Sequence, residues 1–464
     1  MQKALGPLFL CLKGLFRPKQ TYPSLIPPHL ILNFICNIII YINRLSRQIE
    51  LYRGFGMVQV IKKLQIRFGL VVMALAFFGA GWAQEAFKEV EPGSYQDHVY
   101  GAVLGAALGD ALGRPTEFLA THEQIAKRYP AGLSHFGDFH RQDFWFLDGK
   151  DQAAFTDDTQ MAMAVLDVFS QNWEVLNQYD FSPDTVNKVM TKLARRFVDW
   201  SIDPDGGQCV ARAPGNACLR GCKELARLLK ISDAQKTPHW WECGGGKPEQ
   251  VAIEGGSGAV MRAWPIGLVL AWPLIDQIEM IERLAVSQSK MTHRHPKSLA
   301  ASAAIAVGVC QAVHSCQDTP VQIALEMINS AKKYDMGTAN LMTWALEQAQ
   351  NPKSDDKKIL DRLQSWAADE AGAAAIYIFV KYPHDLAMAL KVGANATGDS
   401  DTIATLAGAL VGAYSGISSL RGFEQIEKLE KIEQLKELAS NIYLKHYARI
   451  SRFIMSPNEM VFGV

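Results

Sequence analysis

Glycine returns at every fourth position in two stretches of the chain, as Gly101, Gly105 and Gly109 and again as Gly408, Gly412 and Gly416. The first trio sits in a run of small apolar residues over 100–112, and the second in and just beyond a similar run over 402–414. A four-residue spacing places side chains on one face of an α-helix. Glycine inside a helix costs about 1 kcal/mol relative to alanine. A regular stripe of it therefore predicts two buried helices whose backbones approach closely. In a membrane the same stripe would read as a dimerisation face. Asp110 and the flanking polar residues favour a soluble helical core instead.

The rest of the chain beyond residue 95 repeats apolar residues at helical spacing. Helices are predicted over 160–169, 186–200, 219–229, 260–272, 277–288, 296–313 and 321–333, then over 338–349, 369–379, 385–394 and 423–446. No run alternates as a half-buried strand would, so an all-α domain over residues 95–450 is expected. The chain's length of 464 residues and its 48% apolar content suffice for a large core. Lys plus Arg and Asp plus Glu number 47 each, so no basic excess points to nucleic acid. Long loops are read over 121–154, 201–216 and 232–258, and loops of that length are often functional. The first carries Phe136, Phe139, Phe144, Trp145 and Phe146. Residues 352–361 read as a charged surface loop, and the alternating Glu and Lys of 423–438 as a solvated helix face.

The N-terminal part has a different character. After Met57 come Lys62, Lys63 and Arg67, an apolar run over 68–80, and the small residues Gly81 and Ala83. That order is the signature of a signal peptide over 57–83. It predicts an exported protein, periplasmic or secreted for a bacterial source. A short transmembrane anchor is the competing reading, and membrane contact is expected only if the segment stays uncleaved. If the signal reading fails, the protein is cytoplasmic or membrane-anchored. Residues 1–56 then read as an over-extended translation without a fold. Their apolar run, 30–42, is short for a span; it becomes an anchor only if Met1 is the true start. Six cysteines lie beyond the leader, Cys209, Cys218, Cys222, Cys243, Cys310 and Cys316. An even number is compatible with disulfides in an oxidising compartment. A zinc site from the first four lacks a tight C-x-x-C pair.

Four short motifs carry the chemistry: Gly109 to Phe118 (GDALGRPTEF), Phe155 to Thr159 (FTDDT), Gly255 to Arg262 (GGSGAVMR) and Gly398 to Ile403 (GDSDTI). The second and fourth each put two carboxylates and a threonine hydroxyl at the start of a helix. Capping would explain one such residue per helix. Surplus carboxylates repel one another unless a cation sits between them, and hard divalent cations take several oxygen ligands. Two such clusters converging in space could hold two ions. Glu117 adds a carboxylate after the first helix, with a surface glutamate as the plain alternative. A glycine-rich loop that opens a helix exposes N–H groups to phosphates, although one such loop is a weak signal.

Together these motifs resemble the ADP-ribosylglycohydrolases, the family of the dinitrogenase reductase-activating glycohydrolase and of the ADP-ribosylhydrolases. The resemblance runs over residues 100–416 and includes the order and approximate spacing of all four. Secondary matches are the Pro-Gly-Asn-Ala-Cys stretch ending at Cys218 and Thr292-His293-Arg294-His295. It implies an all-α orthogonal helical bundle with a central binuclear metal cleft. It makes Thr156, Asp157 and Asp158 the early metal ligands and Asp399, Asp401 and Thr402 the late ones. Glu117 matches a glutamate beside the metals. Gly256, Ser257 and Gly258 match the loop that cradles ADP-ribose, and His293 a histidine near that ligand, where a core or capping histidine is the alternative. Ser257 departs from an asparagine that the family often has there, and Ala217 from a threonine.

The resemblance implies hydrolysis of the bond between ADP-ribose and an acceptor, on an ADP-ribosylated protein or a small ADP-ribose conjugate. Breaking that bond builds positive charge at the anomeric carbon. Two cations, Mg²⁺ first and Mn²⁺ second on oxygen ligands, would fix ribose hydroxyls and activate water. Glu117 and Asp157 are the candidates to steer that water. An exported immunity-type protein that blocks an ADP-ribosyltransferase toxin sterically is the competing function. A relative that kept the fold and lost its metals is disfavoured, because every matched ligand position is intact.

Overall fold

The structure, a computed structural model, describes residues 90–140, 152–176, 182–202, 212–231, 235, 237, 239–244, 255–271, 278–314 and 318–455. The expected leader, the stretch before it, Phe144, Trp145, Phe146, Cys209 and Cys316 lie outside these residues. Among the described residues no helix is long and apolar enough to cross a membrane.

The described chain is all-α, as expected, and its only pairings of the β type are two isolated bridges, Ala153 with Leu429 and Gly256 with Ala367. Helix α1 (Tyr95–Gly113) is followed by the short α2 (His122–Arg128). Then come α3 (Asp157–Gln171), the single turn α4 (Trp173–Leu176), α5 (Pro183–Ile202) and α6 (Asn216–Leu229). Next are α7 (Trp264–Val269), α8 (Ile278–Ser289), α9 (Pro296–Ala312) and α10 (Pro320–Lys332). The remainder is α11 (Met336–Gln350), α12 (Asp356–Arg362), α13 (Ala368–Lys381), α14 (Leu386–Ala394), α15 (Ser400–Ser415) and α16 (Ile432–Met455).

The glycine stripes meet each other. α1 and α15 run antiparallel and interlock, Gly101 against Gly412, Gly105 against Gly408 and Gly109 against Ala404. A Cβ on Gly105 would stand 2.5 Å from the Gly408 carbonyl oxygen, so only glycine allows the approach. The contact continues to Gly113, which packs on the backbone of Asp401 and Ser400. Gly416 also packs on Gly101, but as the C-cap rather than as a helical residue. It ends α15 in the left-handed region, at φ 76°, where glycine alone carries no Cβ penalty. This central pair is almost wholly buried along its length. It brings the end of the first motif against the start of the last.

Four expectations need correction, the first being the long loop over 121–154, which contains α2 with Thr121 as its cap. The helix expected over 260–272 is present only as the much shorter α7, Trp264–Val269, preceded by turns and by a 3₁₀ turn at Ser257–Ala259. The charged loop expected over 352–361 contains α12, which Asp355 caps by accepting from Lys357 N. The helix expected from 423 begins only at Ile432. Before it, Gln425 is left-handed at φ 63° and Ile426–Lys428 form a 3₁₀ turn. The physical reason is Glu430. It is no solvated residue but a buried one, and both its oxygens take the Arg212 guanidinium at 2.8 Å. Arg212 also donates to Phe155 O, while Ala153 N donates to Lys428 O and Glu430 N donates to Ala153 O. The C-terminal segment thus clamps the residues that lead into α3.

Cys218, Cys222, Cys243 and Cys310 are thiols outside any disulfide. Burial pushes Cys218 up to about 11, so it is a protonated thiol at neutral pH. Its sulfur points to Gly258 O and that of Cys243 to Met291 O. Among the described residues the group able to share a cation is acidic and contains no cysteine.

Candidate metal and ligand site

The early cluster is built on a helix start that other residues cap. Asp110, fully buried on α1, accepts from Thr156 N at 2.9 Å and Thr159 N at 2.8 Å. Thr156 Oγ1 accepts from Asp158 N. Asp158 N and Thr159 N, two first-turn donors of α3, are therefore served without the Asp157 and Asp158 side chains. Both carboxyls are held well above the ordinary range, first by burial and then by the charges of Asp401 and Asp110. Asp110 is raised to about 6 by burial and by Asp401.

In the late cluster Asp399 occupies the N-cap position of α15, yet its side chain makes no capping bond. Its Oδ2 accepts instead from Ser257 Oγ at 2.8 Å, in the glycine-rich loop. The backbone there is pinned by Asp399 N donating to Gln364 O at 2.8 Å. Gly398 adopts φ 89° with no room for a Cβ beside Gln364. Thr402 Oγ1 donates to Asp158 Oδ2 at 3.0 Å, joining the late cluster to the early one.

Glu117 reaches the same place. Glu117, Asp399 and Asp401 each offer a carboxylate oxygen, all within 4.8 Å of one another. The surface alternative for Glu117 fails, because Oε2 is buried and has no hydrogen-bond partner. Burial, then Asp401 and Asp399, push this carboxyl well up, against the opposing pull of Arg114. Like charges this close are stable only with protons or cations between them. Hard oxygen donors of this kind suit Mg²⁺ or Mn²⁺, so the residues fit the expected ions.

The glycine-rich loop is fixed from behind. Arg262, fully buried, donates to Gly258 O at 2.8 Å, Gln288 Oε1 at 3.0 Å and Thr292 Oγ1 at 2.6 Å, and stacks over Phe197. His293 is buried beside the loop, with Nδ1 2.8 Å from Thr292 Oγ1. A Cβ on Gly256 or Gly258 would meet the Nε2 side of its ring. Burial and Arg262 lower its pKa to about 3, so the imidazole is neutral. The backbone of Gly256 is bridged to the start of α13, Ala368 N donating to Gly255 O and Ser257 N to Trp366 O.

At the rim, Phe118 and Trp366 stack with ring centroids 5.4 Å apart and planes at 23°. Phe118 has φ 67° and Ser365, just before Trp366, has φ 65°. Left-handed backbone costs an L-residue roughly 1–2 kcal/mol, and such strain gathers at functional sites.

The structure thus gathers Thr156, Asp157, Asp158, Asp399, Asp401, Thr402, Glu117 and Ser257 into one buried region, with Gly256, Gly258 and His293 on its flank. Sequence reasoning missed Asp110, Arg262, Arg212 and Glu430 as its supports. Asp110 stood inside the first motif and Arg262 at the end of the third, which was the available signal. Nothing local marked Arg212 or Glu430, whose partnership spans 218 residues.

An uncharacterized protein of Archaeoglobus fulgidus is 26% identical over 319 residues, 67% of this chain and 85% of its own. The ADP-ribosyl-[dinitrogen reductase] glycohydrolase of Rhodospirillum rubrum is 27% identical over 208 residues, 45% of this chain and 55% of its own. A solved chain titled as an ADP-ribosylglycohydrolase-related protein complex is 20% identical, covers 76% of this chain and 99% of that one, and has a TM-score of 0.47. The ADP-ribosylglycohydrolase family model matches residues 91–451 and so takes in all four motifs, and the chain belongs to that family.

Proposed function

We propose that the protein hydrolyses the glycosidic bond between ADP-ribose and an acceptor, on an ADP-ribosylated protein or a small conjugate. The observation that carries this reading is the convergence of carboxylates from α3, α15 and the end of α1 on one buried spot, tied to the glycine-rich loop through Ser257 and Asp399. Asp157, Asp158, Asp399 and Asp401, with the Thr156 and Thr402 hydroxyls, would hold two divalent cations, Mg²⁺ or Mn²⁺. Bound there, such ions would supply Lewis acidity to polarise substrate oxygens and to acidify water.

The chain's own groups do the remaining work. The glycine-rich loop offers backbone donors to the diphosphate, with Arg262 and Cys218 holding its carbonyl side. The neutral His293 can offer Nε2 to a ribose hydroxyl. The carboxylates oppose the positive charge that grows at the anomeric carbon as the bond breaks. Glu117, half-buried with Oε2 unpartnered, would take a proton from water and return it to the leaving group, with Asp157 as the second candidate for that role. Export behind the leader at 57–83 completes the proposal, and N-terminal sequencing of exported protein tests that part.

The direct test is release of ADP-ribose from arginine-, serine- and nucleobase-linked substrates and from O-acetyl-ADP-ribose, with EDTA, Mg²⁺ or Mn²⁺. Release that needs the cation is expected. Cation-independent release, or none from any substrate, overturns the reading.

A further inference from the structure

We infer that Phe118 and Trp366 hold the acceptor side of the substrate and select a planar, delocalised group joined to the ribose through nitrogen. The inference rests on the hydrolase reading above. Two large aromatic rings stand 63% and 43% exposed, against each other rather than in the core. The chain strains its backbone at the foot of both to keep them there. Both feet are tied to the reaction centre. Phe118 directly follows Glu117, and its N–H points to the carbonyl of Gly398, the neighbour of Asp399. The Trp366 carbonyl accepts from Ser257 N, and Ser257 Oγ donates to Asp399. One ring therefore grows from each bank of the site.

Position decides which part of the substrate they meet. The anomeric carbon must lie at the carboxylates. Adjacent Cα atoms are only 3.8 Å apart, so the rings begin one residue from that carbon's surroundings. The adenine lies beyond the ribose, the diphosphate and a second ribose. The group within reach is the one bonded to the anomeric carbon, and the rings stand at the solvent face from which an acceptor arrives.

Chemistry then narrows the acceptor. Aromatic faces favour planar partners and delocalised cations. A guanidinium or a heteroaromatic ring offers such a face, whereas a serine hydroxyl or an acetyl ester offers none. In the reaction the C1–N bond breaks and a C1–O bond forms to water. One water proton passes to the leaving nitrogen, and the other stays on the product hydroxyl.

The test measures kcat/KM on ADP-ribosyl-arginine, an N-linked ADP-ribosyl nucleoside, ADP-ribosyl-serine and O-acetyl-ADP-ribose. It uses wild type, Phe118→Ala, Trp366→Ala, Phe118→Tyr and Trp366→Phe, with the Kd for ADP-ribose recorded for each. Wild type should prefer one of the N-linked arms, and that arm names the acceptor. Each alanine variant should lower the ratio of N-linked to O-linked kcat/KM by about tenfold, mostly through KM. The aromatic replacements should restore the ratio. A loss shared equally by all four substrates overturns the inference, as does a matching loss of ADP-ribose affinity, which would put the rings on the adenine. Wild-type preference for an O-linked substrate sinks the inference but leaves the hydrolase reading standing. Failure of wild type on all four substrates sinks both.

Discussion

Asp157 and Asp158 occupy positions where an aspartate commonly caps a helix, but Asp110 and Thr156 already serve those donors. Asn caps about as well as Asp, so Asp157→Asn and Asp401→Asn leave the helix starts intact while removing a charge. If these residues bind cations, each variant should weaken metal binding and cut hydrolysis by orders of magnitude. Thermal stability without cations should hold or rise, because like charges have been separated. Activity titrations with Mg²⁺ and Mn²⁺ decide, and wild-type turnover at limiting metal would refute the two-ion site. The same crowding has a pH signature. Asp110 sits near 6, raised from 3.8 by burial and Asp401, so the folded cation-free protein binds more protons than the unfolded chain between these values. Its contribution to stability is full below about pH 4 and declines as pH rises through 6. Glu117, Asp157, Asp158 and Asp399 are shifted in the same direction. Cations compete with those protons. The rise in Tm on adding Mg²⁺ should therefore be small near pH 4.5 and grow toward pH 7.5; a rise that shrinks over that range contradicts the account.

At the scale of elements, α1 and α15 invert a familiar rule. In a solvated helix Gly→Ala gains about 1 kcal/mol. Here Gly105→Ala and Gly408→Ala would drive a methyl into the facing backbone. Overpacking of this kind costs roughly 1–3 kcal/mol or more, so both variants should lower Tm, and a rise would show the helices are not locked. The clamp from the C-terminal segment makes a second prediction. Glu430→Ala leaves the Arg212 guanidinium buried without its carboxylate, and breaking such a pair costs about 3–5 kcal/mol. Denaturant unfolding should register that loss, whereas a solvated residue would cost almost nothing. These elements also mark what the sequence made legible. The glycine stripes and the two carboxylate motifs were readable because their spacing is local and repeated. The short helices α2 and α12 and the irregular path through Gln425 were not. Their causes are a few capping bonds and partners hundreds of residues away, and 423–438 has the same alternating charges whether Glu430 meets water or Arg212.

For the molecule as a whole, ligand and fold should be linked. ADP-ribose bound to the native site raises stability by about 2.7 kcal/mol at a hundredfold excess over Kd. The Tm shift should be larger with Mg²⁺ present than with EDTA, and millimolar ADP-ribose that moves neither melt would count against the site. The pairing of α1 with α15 also bears on how the molecule is made. Ser400 donates to Gly113 O across 287 residues. At 5–20 residues per second, roughly 15–60 s pass between synthesis of the two. During that time the glycine face of α1 has nothing to seat against, and the early aspartates have no late partners. α15 must be synthesised before the first helix finds its place, so a message broken before Ser415 should yield a product for proteolysis rather than a partly working protein.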